Sequence, residues 1–115
     1  MQRDAKAYLW DIADAAERIH AFTQDKMLED YLADEILRAA VERKFSILGE
    51  ALSRLLQVRP EFRSRITVPE QIVAFRNQLI HGYAFVNDRV VWEIIRTYLP
   101  QLHAEVAALI EERSE

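Results

Sequence analysis

From Leu37 to Leu55 the chain places apolar side chains at Leu37, Val41, Phe45, Leu48, Leu52 and Leu55, in steps of four, four, three, four and three. Steps of this kind match the 3.6-residue turn of an α-helix and do not fit a strand, whose side chains change face at every residue. A second apolar line, Ile36, Ala40, Ile47 and Ala51, runs beside the first. A helix with two apolar stripes buries itself on more than one side. One side then belongs to the core, and the other meets either more core or a partner subunit.

The remaining segments read as helices arranged around this one. Two glycines and three prolines in 115 residues are too few for the turns of a strand-rich fold. Residues 3–22 alternate apolar and charged positions with a period near 3.6, as in an amphipathic helix. Thr23 is placed to cap a brief acidic helix over Gln24–Tyr31, and Asp34 to cap the long third helix. Arg59-Pro60 is a break, because proline disfavours helix in the residue before it. A fourth helix starts at Pro69 and runs through Ile72, Val73, Phe75, Leu79 and Ile80 to Gly82, which supplies the left-handed turn that commonly ends a helix. Asn87 or Asp88 caps a fifth, which Pro100 should kink or split. With no repeat or linker, the expectation is a single all-α domain over residues 1–115. It is an up-and-down bundle of four to five helices, the last kinked at Pro100.

Several chemistries are excluded or disfavoured. The absence of cysteine removes disulfides, thiolate metal sites and a thiol nucleophile. No apolar run approaches the roughly 20 residues that cross a bilayer, and the N-terminus MQRDAKAYLWDIADAAERIH is too acidic for a secretory or transit signal. A cytoplasmic location without membrane attachment is expected. Net charge −4 argues against nucleic acid at first. The charge is unevenly spread, however: residues 1–34 sum to −4, residues 35–66 to +3 and residues 67–115 to −3. The basic middle could form a cationic patch, although exposed helices of mixed sign explain such a distribution equally simply. Asp11, Asp14 and Glu17 share a helical face without a histidine or further carboxylate to complete a metal site, and read as solvated charges. No metal or cofactor is expected. Trp10 and Trp92 read as core or interface anchors, and His20 as a packed or helix-end histidine.

The segment with chemical potential is Arg76-Asn77-Gln78-Leu79-Ile80-His81-Gly82-Tyr83. Histidine exchanges protons near neutral pH, and the planar arginine fork fits a phosphate. Together they can cleave a phosphodiester without a metal. The histidine would take the proton of a ribose 2′-OH or supply one to the leaving oxygen, and the arginine would stabilise charge at phosphorus. Spacing alone is weak support, because 12 arginines and 3 histidines produce such pairs by chance. Arg96 and His103 form one, which reads as ordinary surface. Residues five apart on a helix also point about 140° apart, so Arg76 and His81 converge only if the helix ends near His81. Glu50, following Gly49 in the third helix, is placed either to orient Arg76 or His81 or to make a structural ion pair.

The longer string FRNQLIHGYAFVNDRVVWEIIRTYLPQL strongly resembles the HepT-like branch of the HEPN ribonuclease superfamily, with its FRN-x-LIHGY core, D-x-x-VW helix and later Leu-Pro. Upstream, AVERKFSILGEALSRL is similar to that family's long helix, including the Ile-x-Gly-Glu step at Ile47–Glu50. The matching stretches span roughly residues 35–102. Where relatives commonly carry two acids before the final helix, this chain has Asn87-Asp88, and both residues can cap a helix.

The resemblance implies a helical homodimer whose two R-x4-H-x-Y motifs meet in an interfacial cleft. It further implies a metal-independent endoribonuclease toxin, paired with an MNT-type nucleotidyltransferase antitoxin. Arg76 and His81 would be catalytic, with Asn77 and Glu50 supporting them. Tyr83 would be the tyrosine that the antitoxin AMPylates, placing a phosphate beside the site where it repels RNA. The alternative is a non-catalytic helical dimer that serves a nucleotidyltransferase as its nucleotide- or substrate-binding partner.

Overall fold

In a computed structural model every regular element among the described residues, which are 4–67, 69–81 and 86–113, is helical. Helix α1 spans Ala5–Thr23, α2 Leu28–Ala33, α3 Glu35–Val58, α4 Pro69–His81, α5 Asp88–Thr97 and α6 Leu99–Arg113, with a 3-10 turn at Pro60–Ser64. The long third helix lies at the centre, packed on α1 to one side and α4 to the other, while α6 closes against α1. The first apolar stripe of α3 is thus used within the chain, while the second is covered only in part. The first is buried from Leu37 to Leu55, and Ala51 of the second is buried as well. Ile36 departs from this pattern at 83% exposure.

The local chemistry explains where the helices begin. Asp4 Oδ1 accepts from the Ala7 amide at 3.0 Å, and Asp34 Oδ1 from the Leu37 amide at 3.0 Å. Asn87 Oδ1 accepts from the amides of Arg89 and Val90, at 3.0 and 3.3 Å. Each satisfies backbone donors that the first turn leaves without partners. Of the two candidates for the fifth cap, Asn87 takes the role.

One expectation needs correction. Thr23 does not cap a helix over Gln24–Tyr31. It is the last residue of α1, its hydroxyl donating to the Ile19 carbonyl at 2.8 Å. The short helix begins at Leu28, where the Asp30 carboxylate accepts from the Met27 amide at 2.7 Å. Pro100 splits the last helix, one of the two outcomes expected of it. Lacking an N–H and crowding the carbonyl of the fourth residue before it, it leaves Tyr98 as a single turn residue between α5 and α6.

The core is built from Leu9, Ile12 and Ile19 of α1, Leu48, Leu52 and Leu55 of α3, and Leu102, Val106 and Leu109 of α6. Phe45 of α3 meets Phe75 of α4 edge to face, with centroids 5.3 Å apart. Buried Ile72, Phe75 and Leu79 form the inner face of α4 and fix its rotation. The approach to α4 is tied to α6, because Glu105 accepts from the Thr67 amide at 2.8 Å and from its hydroxyl at 2.5 Å. Trp92 packs on buried Tyr31 at 5.4 Å and lies under the Arg96 guanidinium at 4.5 Å. It is therefore an anchor, as expected, whereas Trp10 is 61% exposed and takes no part in the core. No helix among the described residues is long and apolar enough to cross a membrane.

Candidate active site

Burial of Ile72, Phe75 and Leu79 dictates where the rest of α4 points. Arg76, one residue past Phe75, lies at the flank of the buried face and leans across α3 at Gly49 and Glu50. The crossing is close. A Cβ placed on Gly49 would lie 2.3 Å from Arg76 Cβ and 2.6 Å from its Cγ. Glycine is otherwise unfavourable inside a helix by about 1 kcal/mol relative to alanine, and here it creates the space that admits the arginine stem.

Arg76 Nη2 donates to Glu50 Oε1 at 3.2 Å, and Nη1 to Asn77 Oδ1 at 2.8 Å. Glu50 also faces Arg54, at 3.8 Å. The Arg76 side chain is 21% exposed, and its Nε is buried without a partner among the described residues. A guanidinium has five N–H donors, so Glu50 and Asn77 hold the group in one pose and leave donors for an incoming anion. Beside it opens a cleft of about 470 Å³, walled by Tyr8 and Asp11 of α1, Arg43, Ser46 and Arg54 of α3, and Arg76 itself.

Three of the four described site residues named from the sequence are therefore in contact: Arg76, Asn77 and Glu50. Glu50 forms an ion pair with Arg76 at 3.2 Å. The fourth, His81, is the exposed last residue of α4, the terminal position that convergence with Arg76 requires. Its side chain makes no hydrogen bond among the described residues. Gly82 and Tyr83 lie outside the described residues.

The far end of the motif segment is pinned at the start of α5. Arg38 of α3 faces Asp88 at 3.6 Å and donates to the Tyr31 and Leu32 carbonyls, at 3.2 and 2.5 Å. Burial pushes the nearby Glu42 carboxyl above its ordinary range, with Asp88 adding to the shift and Arg38 opposing it. The buried Tyr31 phenol is raised well above its usual value by the same burial and by the charges of Asp88 and Glu42.

The second arginine–histidine pair has structural work. Arg96 donates to the Lys26 carbonyl at 2.5 Å, and His103 lies 3.1 Å from Glu17. Asp14 pairs with Arg18 at 3.4 Å, so two of the acids of α1, Asp14 and Glu17, are spent on ion pairs.

Comparison with known proteins places the chain in a family. The profile of the family described as "Ribonuclease HepT-like" matches residues 12–109. The chain belongs to the HepT-like ribonuclease family. A Thermococcus cleftensis protein named "Probable ribonuclease HepT" is 34% identical over 113 residues, covering 95% of this chain and 98% of the relative. A Methanocaldococcus jannaschii protein named "Putative RNase" is 35% identical over 107 residues, covering 91% and 95%. A longer protein of that organism, named "Gamma-glutamylcyclotransferase and putative RNase", is 32% identical over 97% of this chain, which spans half of the relative's length. No solved structure matches at a significant level. Within this HepT-like fold, the sequence under-read Gly49. Its signal was there, since a glycine in the middle of a strongly periodic helix calls for a packing reason.

Proposed function

We propose that this HepT-like ribonuclease cleaves single-stranded RNA in the cytoplasm through Arg76 and His81, without needing a metal for the chemistry. The observation that supports it most is the Arg76 guanidinium, held by Glu50 and Asn77 at the rim of an open cleft on the helix that ends at His81. An imidazole removes the proton of a 2′-OH, and that oxygen attacks phosphorus. The bond to the 5′-oxygen breaks and the leaving oxygen takes up a proton, giving 2′,3′-cyclic phosphate and 5′-OH ends. Arg76 neutralises the charge growing on the phosphoryl oxygens. A positioned acid–base group contributes about 10²–10⁴ in rate, and an electrostatic donor roughly 10²–10³.

Arg76 and His81 leave α4 about 140° apart, which favours a site completed by a second copy, so that each motif contributes to a shared cleft. The resemblance adds a role for the whole molecule: a toxin silenced by an MNT-type nucleotidyltransferase that AMPylates Tyr83.

The purified protein incubated with RNA in EDTA should yield cyclic phosphate ends. His81→Ala should abolish cleavage while leaving the helical signal and melting temperature in place. Undiminished cleavage by that variant would overturn the assignment. Mass spectrometry of protein co-expressed with the nucleotidyltransferase should place the added AMP on Tyr83.

A further inference from the structure

We propose that the face of α3 from Arg43 to Arg54 is a phosphate track, which seats the phosphodiesters flanking the cleaved one and so makes single-stranded RNA the ligand of the cleft. The proposal rests on the ribonuclease reading and adds to it a path for the substrate.

Arg43, Ile47, Glu50 and Arg54 follow one another in steps of four, three and four, and so form one stripe on α3. At 1.5 Å per residue the two arginines stand about 16 Å apart along the helix, with Arg76 reaching in between them from α4. That length passes several phosphates of an extended strand. All three arginines line the same cleft with Ser46, whose hydroxyl is a further donor, and with Tyr8, which adds an aromatic wall of the kind on which bases stack. A cleft of about 470 Å³ is the size of a small-ligand site. It suits a short stretch of one strand and is too small for a duplex.

The charges divide unequally among these groups. Glu50 is shared between Arg76 at 3.2 Å and Arg54 at 3.8 Å, and the Arg54 side chain is 57% exposed. Arg54 is thus held loosely and can exchange its carboxylate for a phosphate. Arg43 is exposed and has no ion-pair partner among the described residues. Counting Asp11 and Glu50 against the three arginines, the cleft carries a net positive charge within a chain that is acidic overall. Phosphate contacts of this kind are sequence-independent, and they position a strand rather than select one.

The test uses the full chain and a fluorescent single-stranded RNA carrying 2′-O-methyl groups, which binds but cannot be cut. Anisotropy titrations between about 50 and 200 mM salt give the salt slope, which falls by about 0.7 for each single-strand phosphate contact removed. Arg43→Gln should lower the slope by about 0.7 and Arg43→Gln with Arg54→Gln by about 1.4. On cleavable RNA the double variant should raise KM far more than it lowers kcat. Arg43→Lys should restore the slope, which a merely structural role for the arginine would not predict. An unchanged slope and KM in the double variant, in a protein that still cleaves RNA, would overturn the track and leave the ribonuclease reading intact. Arginine-dependent binding by a wild-type protein that does not cleave would support the track and overturn the ribonuclease reading. Displacement of the RNA by AMP alone at comparable concentration would reassign the cleft to a mononucleotide and reject the proposal.

Discussion

Gly49→Ala is the most exacting test of the crossing on which the site is built. Helix propensity alone says that this change should stabilise the protein by up to about 1 kcal/mol. The packing says the opposite. The new methyl would lie 2.3 Å from Arg76 Cβ, whereas carbon atoms in contact sit about 3.5–4.0 Å apart. Arg76 Cβ is fixed to the backbone and cannot swing aside, so α3 and α4 must separate by more than an ångström where they cross. Overpacking of this sort costs roughly 1–3 kcal/mol, which leaves a net loss of up to about 2 kcal/mol after a propensity gain of about 1 kcal/mol. For a chain of this size that is a fall in Tm of up to roughly 8 °C. Calorimetry and urea unfolding measure it directly. The background of the second residue identifies the cause. Arg76→Ala keeps the clashing Cβ and should not relieve the loss, while Arg76→Gly removes it and should recover much of it. A coupling of 0.5 kcal/mol or more is typical of residues in direct contact. A rise in Tm on Gly49→Ala would refute the close crossing and, with it, the reason Arg76 is held where Glu50 can reach it.

Two further outcomes follow from the pin at the start of α5. Glu42 has a raised pKa in the fold, so the folded chain holds that proton more tightly than the unfolded one. Its ionisation costs no stability below the unfolded value, and the cost grows as pH rises through the folded value. Glu42→Gln should therefore raise Tm at pH 7, with the gain vanishing below about pH 4. A gain that is the same at both pH values would disprove the electrostatic cause. Asn87→Ala removes two cap bonds and should cost about 1 kcal/mol, read as a lower urea midpoint at constant m-value. No change would mean that α5 does not depend on its cap.

What could be read from residues alone was whatever depends on local chemistry. The period of Leu37–Leu55, the cap at Asp34 and the break at Arg59-Pro60 each follow from rules that act within one turn, and each appears in the fold. Thr23 misled because threonine can satisfy either end of a helix. A threonine hydroxyl that bonds back to the fourth residue before it looks the same in sequence as one that caps forward. For Trp10 only the core half of its reading fails: aromatic size speaks for burial, but which face of α1 is covered is decided by α3 and α6. The candidate site shows the same division. The motif string named Arg76 and Asn77, and the long helix before it named Glu50. Only the crossing at Gly49 shows that these three groups touch, and that Arg43 and Arg54 share their cleft.

The acidity of the chain, which stood against a nucleic-acid substrate at the start, loses its force once charges are placed. Exposed charges act over about 8 Å at physiological salt, so a sum over a molecule 44 Å long says little about one groove. Glu17 is turned to His103 in a separate cleft between α1 and the last two helices, and Glu112 to Arg65 on α6. Glu105 is occupied by Thr67. What faces the candidate site is the basic stretch of α3, with Glu50 set among its arginines and Asp11 of α1 on the opposite wall. A carboxylate there weakens the pull on RNA, yet it also fixes the direction of Arg76. Preorganised charge gives more catalysis than an equal charge free to turn, because nothing need reorient as the transition state forms. Glu50→Gln should separate the two effects. It should bind the uncleavable RNA at least as tightly as wild type, because a repulsive charge is gone, while cutting more slowly, because the arginine is no longer held. Tighter binding with unchanged cleavage would show that Glu50 opposes the substrate and does nothing for the chemistry.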